Sequence, residues 1–265
     1  MKFKKIFLIL LILFSFKLNA QQQRIIIAST TSTYDTGLLD QLNKEFTEKY
    51  NTKVHVLSYG TGQAIRIAKD GNIELLIVHH KPSEIEFMNN GYGLERYEIM
   101  YNDYIIVGPK SDAIQCSSIE QKLLYIYENN KLFISRDDDS GTNKKEIELW
   151  DSINLTPLEF KNWYIRIGQG MGKTLLFANE KNAYTISDRS TWISFNKREN
   201  LKIICENYPP LFNQYSIILV NPKLNNNLNI DGAKKYIDWV TSEKAKKIIN
   251  SFKKKGEQLF YYNYN

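Results

Sequence analysis

Three isoleucines, Ile25, Ile26 and Ile27, run into five consecutive hydroxyl residues at positions 29–33. Leu38, Leu39, Leu42, Phe46 and Tyr50 then recur at helical spacing, with Lys44, Glu45, Glu48 and Lys49 on the other face. The pattern predicts a buried strand, a tight turn and the N-terminus of a helix. Residues 53–59 alternate as a strand does, Gly60-Thr61-Gly62 follows, and 63–69 reads as a short helix. An apolar run at 73–78 precedes Pro82, which opens another helix in its first turn. Three strand–loop–helix units before residue 91 predict a parallel sheet.

A strand at 104–109 leaves this unit, and a second series begins. Residues 132–135 read as a strand, 136–142 as its loop and 143–150 as a helix. The run 164–167 leads into Gly168-Gln169-Gly170-Met171-Gly172-Lys173-Thr174 and a helix, and 183–186 leads into Ser187-Asp188-Arg189. A strand at 215–220 and helices at 231–240 and 242–252 complete the pattern. There is no repeat and no Pro/Gly-rich linker, which suits two lobes joined by strands that cross between them. The predicted division is 21–106 plus 219–265 for one lobe and 107–218 for the other.

Residues 1–20 read differently. A basic start with Lys2, Lys4 and Lys5, an apolar stretch at 6–16 and the small residue Ala20 predict a cleaved secretory signal peptide. The apolar stretch is too short for a good membrane span. Export changes the charge picture: the formal charge is +6, and without the leader's four lysines, Lys17 included, it is +2. A nucleic-acid partner is therefore not implied. The run Lys253-Lys254-Lys255 reads as a solvated face, and Phe260-Tyr261-Tyr262 as a docking point for the C-terminal tail. Two cysteines, Cys116 and Cys205, do not make a disulfide scaffold; the preferred reading is that they are free and buried.

The chemistry lies in the loops. The end of a parallel strand facing a helix N-terminus is where α/β proteins bind ligands, and the free N–H groups there favour an anion. The hydroxyls of 29–33 add donors without charge. Ser140-Gly141-Thr142 repeats the arrangement, and Arg136 supplies a cation able to bind an oxyanion through two parallel hydrogen bonds. Asp137, Asp138 and Asp139 are assigned to helix capping or to orienting the arginine. Gly172-Lys173-Thr174 imitates the end of a P-loop, but Ile167 stands where its first glycine belongs. A close backbone approach to a small anion is the better reading. His79 and His80 are adjacent on a strand and point to opposite faces, so no metal site is predicted. Ser32, His79 and Asp188 lack a nucleophile elbow, so no hydrolase is predicted.

Taken together, Ala28-Ser29-Thr30-Thr31-Ser32-Thr33, Gly60-Thr61-Gly62-Gln63-Ala64, Ser135-Arg136 with Asp138-Asp139-Ser140-Gly141-Thr142, Gly168-Gln169-Gly170-Met171-Gly172 and Ser187-Asp188-Arg189 stand in an order that resembles the tungstate-binding proteins of ABC importers. Met100-Tyr101-Asn102-Asp103 and Asp238-Trp239 fit as well. The resemblance implies a two-lobed type II periplasmic-binding-protein fold, an α/β architecture in which each lobe is a mainly parallel sheet flanked by helices and the ligand lies in the cleft. It implies Thr30, Thr31, Ser32, Thr61 and Arg136 as ligand-binding residues, with Gly170, Met171 and Gly172 approaching through backbone N–H groups. Asp137 stands where glycine is usual after the arginine, and Ser190 where glycine is usual after Asp188-Arg189. The implied function is capture of tungstate, with molybdate as a second candidate, by a periplasmic monomer that needs no cofactor, performs no catalysis and delivers to a permease with a separate ATPase. The alternatives are another oxyanion on the same fold, such as sulfate or phosphate, or an oxyanion-sensing module.

Overall fold

The computed structural model describes residues 23–264; the leader expected at 1–20 lies outside the described residues. Strand β1 (Gln23–Thr30) pairs in parallel with β2 (Thr52–Tyr59) on one side and β3 (Leu75–Val78) on the other. Ile25 and Ile27 are fully buried in one core with Leu38, Leu39, Leu42 and Phe46. Ala28 and Leu76 face a second core on the opposite side of the sheet. A sheet covered on both faces accounts for the unbroken apolar runs in β1 and β3.

The hydroxyl stretch is more than a turn. Helix α1 (Thr31–Tyr34) begins immediately, and Gly37, at φ +88°, separates it from α2 (Leu38–Tyr50). Helices α3 (Thr61–Lys69) and α4 (Lys81–Asn89) follow β2 and β3. Strand β4 (Gly93–Pro109) is far longer than its sequence suggests. From Gly93 to Asp103 it lies antiparallel to β9 (Phe212–Val220), which also pairs with β3. From Tyr104 onward it turns to β7 (Thr185–Asp188) and β8 (Leu201–Cys205).

The second lobe contains α5 (Ile119–Glu128), β5 (Phe133–Ser135), α6 (Gly141–Asp151), β6 (Tyr164–Arg166), α7 (Met171–Lys181) and α8 (Arg189–Ser194). β5 and β6 run parallel, and a bridge from Phe133 to Tyr184 ties them to β7. Phe133, Trp150, Trp163 and Tyr164 fill this core. Helices α9 (Ile230–Val240) and α10 (Glu243–Ser251) return to the first core. The tail docks as expected: Phe260 is fully buried, and Tyr261 and Tyr262 pair with Tyr101 and Met100.

The cysteine reading is corrected. Cys116 and Cys205 form a disulfide, with Cα atoms 5.5 Å apart and a sequence separation of 89. Their proximity depends on β8 lying beside β4, and the strand pairing of residues this distant is not carried by local pattern. By restricting the unfolded chain such a link stabilises by roughly 2–4 kcal/mol.

Candidate functional site

Four loops meet at one end of the parallel strands. Thr30 pairs in register with Tyr59, so the loop after β1 lies beside Gly60-Thr61-Gly62. The N–H of Gln169 donates to the Arg136 carbonyl at 3.2 Å, which holds the loop after β6 against the loop after β5. Across the lobes, the Gly62 N–H donates to the Asp139 carbonyl at 3.2 Å. Each loop opens a helix (α1, α3, α6 or α7) whose first N–H groups have no intrahelical acceptor.

The residues expected from sequence fall into two adjoining groups. Thr31, Ser32, Gly170, Met171 and Gly172 line one cavity of about 350 Å³, with Asp35, Gln169 and Thr191. A Cβ built on Gly170 or Gly172 meets nothing within 4 Å, so these glycines border open space. The Met171 side chain is buried in the core with Leu175, which leaves its backbone to face the cavity. Thr30 is buried, and its Oγ1 lies 2.7 Å from Thr33 Oγ1 and 3.4 Å from Ser32 Oγ.

Thr61 and Arg136 form the deeper group, around the start of α6. The Thr61 hydroxyl is fully enclosed and has no hydrogen-bond partner. It lies 2.9 Å from the position a Cβ on Gly141 would occupy, and His79 Cε1 lies 2.5 Å from that position. Only glycine fits there, and its absent side chain brings the α6 N-terminus onto Thr61. The Ser140 Oγ caps α6 by accepting the Asn143 N–H. The Arg136 guanidinium is buried and donates from Nε and Nη2 to Asp138 Oδ2 at 3.2 and 2.6 Å. Its Nη1 makes only a long contact, 3.4 Å, with Thr142 Oγ1.

The three aspartates divide as their positions require. Asp138 orients Arg136 and accepts the Ser140 N–H at 3.2 Å. Asp139 binds Arg66 and Lys144, whose charges hold its carboxyl below the usual range against the opposing effect of burial. Asp137 takes φ +47° and is exposed, so it holds a left-handed backbone and turns its charge to solvent. Ser190 needs no such conformation: it is buried in α8 and donates to Asp188 at 2.5 Å. Asp188 also accepts the Thr191 N–H and hydroxyl and so caps α8.

Sequence reasoning left His79 outside the site. The structure places it behind Gly141 and Thr61, at the centre of a buried polar cluster. Asn213 Nδ2 donates to Asn102 Oδ1 at 2.6 Å, which turns Asn213 Oδ1 toward His79 Nδ1 at 3.0 Å. With the amides in this orientation that nitrogen donates to Asn213, and Nε2 is unprotonated in the neutral ring. The Tyr104 hydroxyl is 2.8 Å from the same nitrogen, and the Tyr215 ring stacks on the imidazole at 4.8 Å. Burial lowers the His79 pKa to about 4, against the pull of Asp188. Among the described residues, no three His, Cys, Asp or Glu side chains gather as a metal site.

The arrangement supplies hydroxyl and backbone donors and one buried cation matched by a carboxylate, with Asp35 and Lys173 also on the cavity wall. The profile of the PBP superfamily domain matches residues 18–244. The chain is 46% identical to the tungstate-binding protein TupA of Peptoclostridium acidaminophilum over 89% of its length and 84% of the relative's. It is 40% identical to the TupA of Campylobacter jejuni, over 86% and 87%. The chain belongs to the TupA family. Among solved structures, the tungstate-binding TupA of Desulfovibrio alaskensis superposes with a TM-score of 0.81 at 37% identity, covering 92% of this chain and all of that one. A structure described as the tungstate ABC transporter of Geobacter sulfurreducens gives 0.76 at 40% identity, covering 85% and 97%. The two-lobed, type II binding-protein architecture is that of the family, and the family consists of substrate-binding proteins rather than enzymes.

Proposed function

We propose that this protein captures tungstate between its lobes outside the cytoplasm and delivers it to an ABC permease driven by a separate ATPase. The observation that carries the reading is the enclosed, unpartnered Thr61 hydroxyl beside the first N–H groups of α6 and the nearly free Nη1 of Arg136. An unmade hydrogen bond of this kind costs about 1–3 kcal/mol, and a bound oxyanion recovers it. Tungstate and molybdate are dianions without protons at neutral pH, and donors alone suit them. The names of the relatives support the same ligand.

Thr31 and Ser32 would offer hydroxyls, and the backbone of Gly170, Met171 and Gly172 would close over the anion from the other lobe. We place the hinge where β4 changes partners, between Asp103 and Tyr104, and where β9 begins at Phe212, rather than at 106/107 and 218/219. A ligand touching both lobes favours the closed form by its differential contacts. Calorimetric titration of the leaderless protein with tungstate, molybdate, sulfate and phosphate tests the proposal. Tight stoichiometric tungstate binding with sulfate and phosphate silent supports it; silence toward all four overturns it.

A further inference from the structure

A second large cavity lies away from the Gly170–Gly172 cavity. A groove of about 730 Å³ opens where β4 changes partners, beside the proposed hinge, and none of the proposed tungstate ligands lines it. One wall is aromatic. The Tyr101 ring stacks on Tyr261 at 5.2 Å and lies 5.0 Å from Phe212. Phe212 and Tyr261 remain 47% and 43% exposed, so ring surface stays open to the groove. Tyr208 lines it as well.

The charges are one-sided. Three carboxylates line the groove, those of Asp103, Glu206 and Glu257, against the single guanidinium of Arg189. Arg189 binds Asp103 at 2.6 Å through two nitrogens and Glu206 at 2.7 Å. Glu257 is exposed and forms no ion pair among the described residues. Lys254 donates to the Asp35 carbonyl and Lys255 to Asn196, while Lys254 also stands opposite Glu257 and Lys253 opposite Gln258 in a short antiparallel pair. The groove therefore joins exposed π faces to an excess of two negative charges. Neither feature suits an oxyanion. Both suit a cation with an apolar body, which gains from ring faces and carboxylates together.

We propose that this groove is a second ligand site, specific for small organic cations of the alkylammonium class. The occupant's ammonium lies against the Phe212 and Tyr261 rings with Glu257 as counter-ion, and its apolar body rests on Tyr101.

The test uses choline as the probe and 3,3-dimethylbutan-1-ol, its uncharged isostere, as the control, observed by ligand NMR on the tungstate-loaded protein. Saturable choline binding is expected, at least about fivefold tighter than the isostere. Glu257→Gln and Tyr261→Leu, both at exposed positions, should each weaken choline by a similar factor while leaving tungstate titrations unchanged. Absence of saturable choline binding overturns the proposal. Equal binding of the isostere overturns it too, because the groove would then be merely apolar. Unchanged choline binding in both variants places the cation elsewhere and also overturns it. Tungstate binding is measured separately in each sample, so failure of the oxyanion reading is distinguishable from failure of this one.

Discussion

Asp138 holds Arg136 through a single carboxylate oxygen, Oδ2, and uses the other, Oδ1, on the Ser140 N–H. The arginine is thereby fixed relative to the α6 cap, and its Nη1 is left with only the long contact to Thr142 Oγ1. Replacing the side chain removes the site's cation and leaves the Asp138 carboxylate without its partner. Arg136→Ala should weaken tungstate binding tenfold or more, about 1.4 kcal/mol. Arg136→Lys should fall between, because a point charge does not reproduce the fork. Calorimetric titration checks both, and unchanged affinity in Arg136→Ala would remove this residue from the site.

Thr61→Val keeps the shape and removes a buried hydroxyl that has no partner. The two expected effects have opposite signs. Without ligand the variant should be as stable as the parent or more so, and its affinity for tungstate should drop by about 1–3 kcal/mol. Thermal unfolding with and without tungstate measures both at once. A loss of unliganded stability with affinity intact would show that Thr61 is a packing residue.

His79 gives a pH dependence of known sign. Its folded pKa, about 4, lies below the ordinary 6.5. The unfolded chain therefore takes up a proton first as pH falls. The stability His79 contributes is complete above about pH 6.5 and is lost progressively down to pH 4. The charges facing it are Asp188, Arg136 and His80. His79→Asn, which retains a donor where Nδ1 stood, should flatten this limb in urea titrations run between pH 4 and 7. It should bind tungstate better than His79→Leu, which abandons Asn213.

Glu146 acts in the opposite direction. It is fully buried beneath the Arg136 loop, accepts a hydrogen bond from the Tyr164 hydroxyl, and is pushed up by burial to about 8. Between about pH 4.5 and 8 the folded form keeps a proton the unfolded form has released, so stability falls as pH rises through that window. Glu146→Gln should be nearly neutral at pH 5 and stabilising at pH 8. A parallel pH profile for the two proteins would show that Glu146 titrates normally.

The disulfide should be separable from binding. Cys116→Ser with Cys205→Ser should lower the unfolding free energy by roughly 2–4 kcal/mol and leave the tungstate affinity unchanged, because neither residue borders the cleft cavity.

The loops that form the site were readable because strand ends and helix starts announce themselves in short stretches. Ile27 running into hydroxyls, and Ser140-Gly141-Thr142 before a helix, are local signals, and the helices stand where they point. The first half of β4 was not readable. Glu95, Arg96 and Glu98 interrupt its apolar pattern, and only the structure shows why charge is tolerated there: Arg96 pairs with the buried Glu84 and with Glu98. β8 was missed as well, and with it the partner of Cys116. The placement of His79 depends on α6, from the other lobe, packing its glycine against the ring. No window of sequence contains that contact.

β4 is one uninterrupted 17-residue strand serving both sheets. It gives each sheet an interior strand, between β9 and the Tyr261–Tyr262 tail in one and between β7 and β8 in the other. Neither half can be excised as an autonomous unit, and unfolding of one exposes the backbone of the other. Chimeras that exchange lobes between relatives to alter ligand choice must therefore be spliced inside a hydrogen-bonded ladder, not in a loop. Tm measurements on such hybrids would report the fit of that splice before they reported anything about the anion.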